Sequence, residues 1–153
     1  VRYWSTKRDQ IEMDVFHRFI GIVPMAGVCR GGQLINCLKG GKLYQHVNNH
    51  EHGTHPIIDC KGREVMVSSV HHQMMIPPDD EGVIYAWAKL STVKVANDED
   101  TIHLDKASMD PEVIIFHKEK LLCVQFHPEF GPDSCTNYFF NLMDKYILEP
   151  KNA

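Results

Sequence analysis

The stretch Val23-Pro24-Met25-Ala26-Gly27-Val28-Cys29-Arg30-Gly31-Gly32-Gln33-Leu34-Ile35-Asn36 constrains this chain more than any other. An apolar run reaches a glycine, a cysteine and two further glycines, and then a segment that suits a helix. Read physically, this is a strand over Ile22–Val28 that turns sharply into a helix over Gly31–Leu38, with a thiol at the bend. Such a turn exposes the side chain and surrounds it with backbone N–H groups. The positive end of the helix dipole beside the sulfur is expected to favour thiolate. A buried cysteine in a glycine-rich turn is the competing reading.

A second segment supplies what a nucleophile needs. Leu121–Phe126 reads as a buried strand that runs straight into His127-Pro128-Glu129. A histidine at a strand end, with a carboxylate two residues on, provides a base and the group that orients it. The wide separation of Cys29 from His127 is expected when partners meet only in the fold.

The elbow Gly-Val-Cys29-Arg-Gly-Gly-Gln resembles the class I glutamine amidotransferases. So do Gly40-Gly41-Lys42-Leu43-Tyr44-Gln45-His46, Ser69-Val70-His71-His72-Gln73 and Gln125-Phe126-His127-Pro128-Glu129, in that order. The nearer likeness is to the γ-glutamyl hydrolase branch (γ-glutamyl-γ-aminobutyrate hydrolase-like, peptidase C26 type), and it spans roughly residues 8–147. The resemblance implies a cysteine hydrolase of γ-glutamyl amide bonds. Cys29 would attack, His127 would move the proton, and Glu129 would orient His127. A γ-glutamyl thioester would form, with the Arg30 N–H as one oxyanion donor. It further implies that Gln33 and the backbone around Ser69, Val70 and His71 contact the glutamyl moiety. The Arg30 guanidinium is open to two readings, a contact to the substrate carboxylate or a surface ion pair.

The alternatives are a glutaminase that feeds ammonia to a partner synthase and a non-catalytic truncated relative that serves as an interaction module. The small-molecule substrate is glutamine or a γ-glutamyl amine, and the protein partner is a synthase or a second copy in a homodimer. In the family a second oxyanion N–H comes from a glycine-rich loop upstream of the nucleophile. Residues 1–28 hold only Gly21 and Gly27. The N-terminal strands of the family domain are therefore expected to be missing from this chain.

The remaining features bound the class. The 153 residues suit one domain, able to bury about 68–70% of its unfolded surface. Hydrophobic content is 43% and net charge −4, which argues against nucleic-acid and anionic-membrane partners. Cys29, Cys37, Cys60, Cys123 and Cys135 are odd in number and lack a Cys-x-x-Cys spacing, so a reducing cytoplasm is expected. Cys37 and Cys123 lie in apolar stretches and are expected to pack as small hydrophobes.

Strands alternating with helices fit an α/β three-layer fold with a central, mostly parallel sheet, and the resemblance implies that it is flavodoxin-like. Ile11, Val15, Phe16 and Phe19 form the expected inner face of a first helix over Arg8–Phe19. Val83–Ser91 and Thr92–Ala96 read as a smaller antiparallel layer, and Val113–His117 with Leu121–Phe126 as a hairpin. Asp133–Ile147 closes the domain as a helix capped by Asp133 or Ser134. Residues 44–59 read as a polar loop over the site. They carry His46, His50, His52 and His55, followed by His71 and His72. The spacing matches no zinc motif. Most of these rings are expected to be solvated or hydrogen-bonded, with no metal and no cofactor.

Overall fold

The computed structural model describes residues 7–44, 46–48, 50, 53–69, 71, 73–89, 93–95, 101–103 and 109–148. The chain enters through α1 (Lys7–Phe19), β1 (Met25–Val28) and α2 (Arg30–Leu38). Short strands β2 (Lys42–Tyr44) and β3 (His46–Val47) lead to β4 (Thr54–Asp59), β5 (Glu64–Ser68) and β6 (Met74–Ile76). Then follow β7 (Val83–Ala88), β8 (Val93–Val95), β9 (Thr101–His103), β10 (Asp110–Phe116), β11 (Leu121–Val124) and α3 (Asp133–Leu142), which runs on into a π-helical turn, Met143–Leu148.

Six strands form the central sheet in the order β1-β11-β10-β7-β4-β5, with helices on both faces, as the α/β reading expects. Within this sheet β1 and β11 pair in parallel, and the other described ladders are antiparallel. The expected mostly parallel sheet is thus replaced by a mostly antiparallel one, and connection length explains the β10–β11 pair. Residues 117–120 join β10 to β11, which is too short for the crossover that parallel strands require. The strand over residues 83–88 lies in this main sheet rather than in a smaller layer; β8 pairs with β3 and β9 in a separate three-stranded sheet.

Every residue of β10 and β11 is buried, as expected for strands covered on both faces. Side chains alternate between the two layers. Val113, Ile115, Leu122 and Val124 pack with Tyr138, Phe139 and Leu142 of α3. Ile114, Phe116, Leu121 and Cys123 pack with Phe16 and Ile35 on the other side. Tyr138 Oη donates to Asp59 Oδ2 at 3.0 Å and ties α3 to the sheet. Pro132 precedes this helix, and no side chain caps it.

Pairing of β10 with β7 is irregular where the sequence turns acidic. Pro111 faces Trp87 and Val113 faces Ala86, so Glu112 is the extra residue of a β-bulge. A bulge bends its strand and re-aims a side chain. Both Asp110 and Glu112 are fully buried.

The first helix departs from its expected inner face. Phe16 is buried, while Ile11 is 56% and Val15 47% exposed. β1 lies at the margin of the sheet and is paired only with β11 among the described residues. An apolar groove between α1 and the β1–α2 unit is lined by Val15, Phe16, Met25, Val28, Leu34 and Leu38.

Gly27 locks β1 against α2. A Cβ there would lie 2.4 Å from the Gly31 carbonyl carbon and 2.5 Å from the Gly32 nitrogen, both backbone atoms that cannot yield. At Gly31 an added Cβ meets nothing within 4 Å. Gly27→Ala is expected to destabilise the fold by about 1–3 kcal/mol or more, and Gly31→Ala to change stability by under about 1 kcal/mol. Urea denaturation of the two variants checks this contrast; equal effects would contradict it.

Candidate active site

The strand-to-helix elbow is present and strained. Cys29 has φ 53° and ψ −108°, a left-handed backbone that a non-glycine residue adopts only when its surroundings force it. Its N–H donates to the Val124 carbonyl at 2.7 Å, prolonging the β1–β11 ladder into the turn. The Gln33 N–H donates to the Cys29 carbonyl at 2.9 Å, which starts α2.

Parallel pairing places the two halves of the candidate site at one end of the sheet. Val28 is opposite Val124, so Cys29 and the His127 segment leave the carboxyl ends of adjacent strands. That is where ligands bind in open α/β sheets. The His127 Nδ1 lies 2.8 Å from Glu129 Oε2, and the ring stacks on exposed Phe130 with centroids 5.0 Å apart. Glu129 is held below the usual carboxylate range. Burial is the largest single influence and acts against the shift; the hydrogen bond and charge of His127, with a backbone hydrogen bond, together outweigh it.

Burial pushes the Cys29 thiol up, the Arg30 N–H pulls it down, and the Glu112 and Glu129 carboxylates add to the rise. The net shift is upward. The expected preference for thiolate gives way because desolvation and two carboxylates outweigh one helix terminus.

Ser68 is a positioning residue that the sequence did not flag. Its Oγ accepts from the His127 N–H at 2.9 Å and donates to the His127 carbonyl at 2.8 Å, clamping the segment that carries the ring. No motif marks it; only the chain crossing from β5 to the end of β11 reveals it.

The expected substrate contacts are placed unevenly. Gln33 is buried, and its Nε2 donates to the Gln73 carbonyl at 3.3 Å. The Arg30 guanidinium pairs with Asp9 and Glu12 of α1, the surface ion-pair reading of the two. Ser69 is buried, and its Oγ donates to the His50 carbonyl at 2.7 Å. His71 is buried, and its ring faces Glu112. Val70 and His72 lie outside the described residues.

The loop expected over residues 44–59 is replaced in part by β4, an inner strand of the main sheet. His50 and His55 are buried rather than solvated. The alternation of β4 turns His55, Ile57 and Asp59 inward, so polar residues occupy core positions. His46 and His52 side chains lie outside the described residues.

Site-resolved alkylation tests the thiol environment. Cys29 labelling by iodoacetamide is expected to rise with pH through a midpoint above that of a free cysteine. Exposed Cys60 is expected to label in the folded protein, and buried Cys123 to stay unlabelled until unfolding. Complete thiolate reactivity of Cys29 at neutral pH would contradict the assignment. Ser68→Ala removes both clamp bonds and is expected to lower unfolding free energy by about 1–3 kcal/mol, read by urea denaturation.

Comparison with known proteins identifies the family. The sequence model described as glutamine amidotransferase class-I matches residues 5–145. The chain is 33% identical over 115 residues to the chloroplastic carbamoyl phosphate synthase small chain of Oryza sativa subsp. japonica, covering 74% of this chain and 22% of that protein. It is 30% identical over 133 residues to the carbamoyl phosphate synthase small chain of Methanocaldococcus jannaschii, covering 84% and 32%. The chain thus spans a third or less of the length of these curated relatives. The crystal structure of a glutamine amidotransferase from Thermotoga maritima shares the fold, with TM-score 0.54 and 17% identity over 89% of this chain and 52% of that one. On the family match and the shared fold, the chain belongs to the class I glutamine amidotransferases.

Proposed function

We propose that this chain is a glutaminase that hydrolyses glutamine at Cys29 and passes the ammonia to a partner synthase. The parallel pairing of β1 with β11 carries the reading, because it brings the Cys29 elbow and the His127–Glu129 pair to the same sheet end. The choice of synthase partner is supported by relatives that are named as small chains of carbamoyl phosphate synthase.

The chemistry follows from the residues. The Cys29 sulfur attacks the δ-carbonyl carbon of glutamine while its proton passes to His127. The tetrahedral oxyanion takes a hydrogen bond from the Arg30 N–H. Its collapse breaks the C–N bond, and His127 returns the proton to the leaving nitrogen, releasing ammonia. A γ-glutamyl thioester remains. Water then attacks it with His127 as base, and the break of the C–S bond yields glutamate and restores the thiol. Glu129 accepts from the Nδ1–H and keeps the other ring nitrogen as the base. A raised thiol pKa fits a nucleophile that gives up its proton to His127 when substrate is bound, instead of resting as thiolate.

The narrower reading, a γ-glutamyl amine hydrolase, uses the same steps with a different leaving group. The non-catalytic module uses none of them. Glutamate release is measured from glutamine, γ-glutamyl-γ-aminobutyrate and γ-glutamyl peptides, with intact mass for a glutamyl adduct. We expect glutamine to be preferred, turnover to rise with a partner synthase, and Cys29→Ala to lose about 10⁴-fold or more. Efficient turnover of γ-glutamyl amines in preference to glutamine by the isolated chain would favour the hydrolase. Neither adduct nor turnover, with or without partner, would sink the catalytic reading.

A further inference from the structure

Behind the candidate active site, three imidazoles converge on one buried carboxylate. His50 Nδ1, His55 Nε2 and His71 Nε2 lie 3.4, 3.5 and 3.7 Å from the same atom, Glu112 Oε2. All four side chains are more than nine-tenths buried. The ligand atoms of His50, His55 and Glu112 lie within 4.8 Å of one another.

The second nitrogen of each ring is already committed as a donor. His50 Nε2 lies 2.9 Å from Asp110 Oδ2, His55 Nδ1 3.2 Å from the Pro56 carbonyl, and His71 Nδ1 2.8 Å from the Gln73 carbonyl. Neutral rings that donate from those nitrogens turn three lone pairs toward Glu112. Neither Glu112 oxygen accepts a hydrogen bond, and His55 Nε2 and His71 Nε2 have no hydrogen-bond partner. Ser69 Oγ lies 3.5 Å from His50 Nδ1 but donates to the His50 carbonyl. Acceptors therefore face acceptors in the protein interior, an arrangement that a metal ion or a proton at its centre relieves.

The separations say which kind. An imidazolium N–H to a carboxylate closes to about 2.7–2.9 Å. A tetrahedron with metal–ligand bonds of about 2.0–2.1 Å has edges of about 3.3–3.4 Å. The His50 and His55 distances approach such an edge, and the 3.7 Å of His71 is longer. The outer contacts match as well, since histidine ligands are usually fixed by a carboxylate or carbonyl on the far nitrogen. The bulge at Glu112 is the backbone device that aims the carboxylate inward.

We infer that His50, His55 and Glu112 form a structural site for a divalent transition metal of the zinc class, with His71 beside it. All three ligands are buried and come from separate parts of the chain, so the ion braces the fold. It joins β4, β10 and the segment around His50, and lies beside His71, whose Nδ1 shares the Gln73 carbonyl with Gln33. Burial pushes His55 down despite the Glu112 carboxylate, in keeping with a lone pair on the inward nitrogen. His71 is raised; burial opposes that shift and Glu112 drives it, which makes a proton on His71 the competing occupant.

The test uses Cys29→Ala protein, so that the nucleophile cannot capture metal. After dialysis against zinc and gel filtration, elemental analysis is expected to find about one zinc per chain. Glu112→Gln and His55→Ala are expected to lose it, and chelation to lower the melting temperature until zinc is restored. Folding is followed by circular dichroism. If the variants do not fold, the cobalt-loaded Cys29→Ala protein decides: the strong visible absorption of a four-coordinate ion supports the site, and the weak spectrum of a six-coordinate ion overturns it. Absence of stoichiometric zinc, or its retention in folded Glu112→Gln and His55→Ala, also overturns the inference; the first result would assign the centre to a proton.

Discussion

The parallel contact between β1 and β11 is the constraint on which the site depends. It is the only parallel ladder among the described strands of the central sheet, and it fixes which residues leave the sheet side by side. Its last link is the Cys29 N–H to the Val124 carbonyl, made by a residue whose backbone is already in the left-handed region. Gly27 and Gly32 permit the close approach of α2 that this bend demands. A side chain at Gly27 would push the helix off the strand and take the elbow with it.

The polar interior follows a different logic from the apolar core. β10 is buried along its whole length, yet its first half carries two carboxylates and its second half only apolar side chains. The apolar half holds two hydrophobic clusters apart on opposite sheet faces. The acidic half gathers histidines from distant parts of the sequence. Buried charge of this kind is costly unless it is paired, so its neighbours are bound tightly to its state. Asp59 shows a satisfied version: it accepts from the Lys61 and Arg63 N–H groups, from Arg63 Nε and from Tyr138, and its carboxyl lies below the ordinary range although burial acts against the shift.

Where physics is local, the sequence was legible. Gly27, Cys29 and Gly32 announce a turn because few other residues could occupy it, and His127 with Glu129 follow a strand whose apolar run is uninterrupted. The three-layer arrangement, the β10–β11 hairpin and the closing helix were legible from the apolar pattern. What escaped depended on contacts far apart in the chain. The alternation of β4 is hidden because His55 and Asp59 stand at inward positions where apolar residues are the usual signal. Ser68 is an ordinary strand residue until the end of β11 is laid against it. The stripe of Ile11, Val15 and Phe19 has helical spacing but remains largely exposed beside the groove, so periodicity located the helix and misjudged its inner face.

The place of β1 at the sheet margin has a consequence for handling the molecule. Its outer row of backbone groups has no ladder partner among the described residues, and the apolar margin of α1 runs beside it. Such an edge is a template for adding strands, either from another molecule or from a copy of itself. The strand exposed to that addition is the one that carries the nucleophile. A strand added to that edge would therefore lie directly beside the elbow.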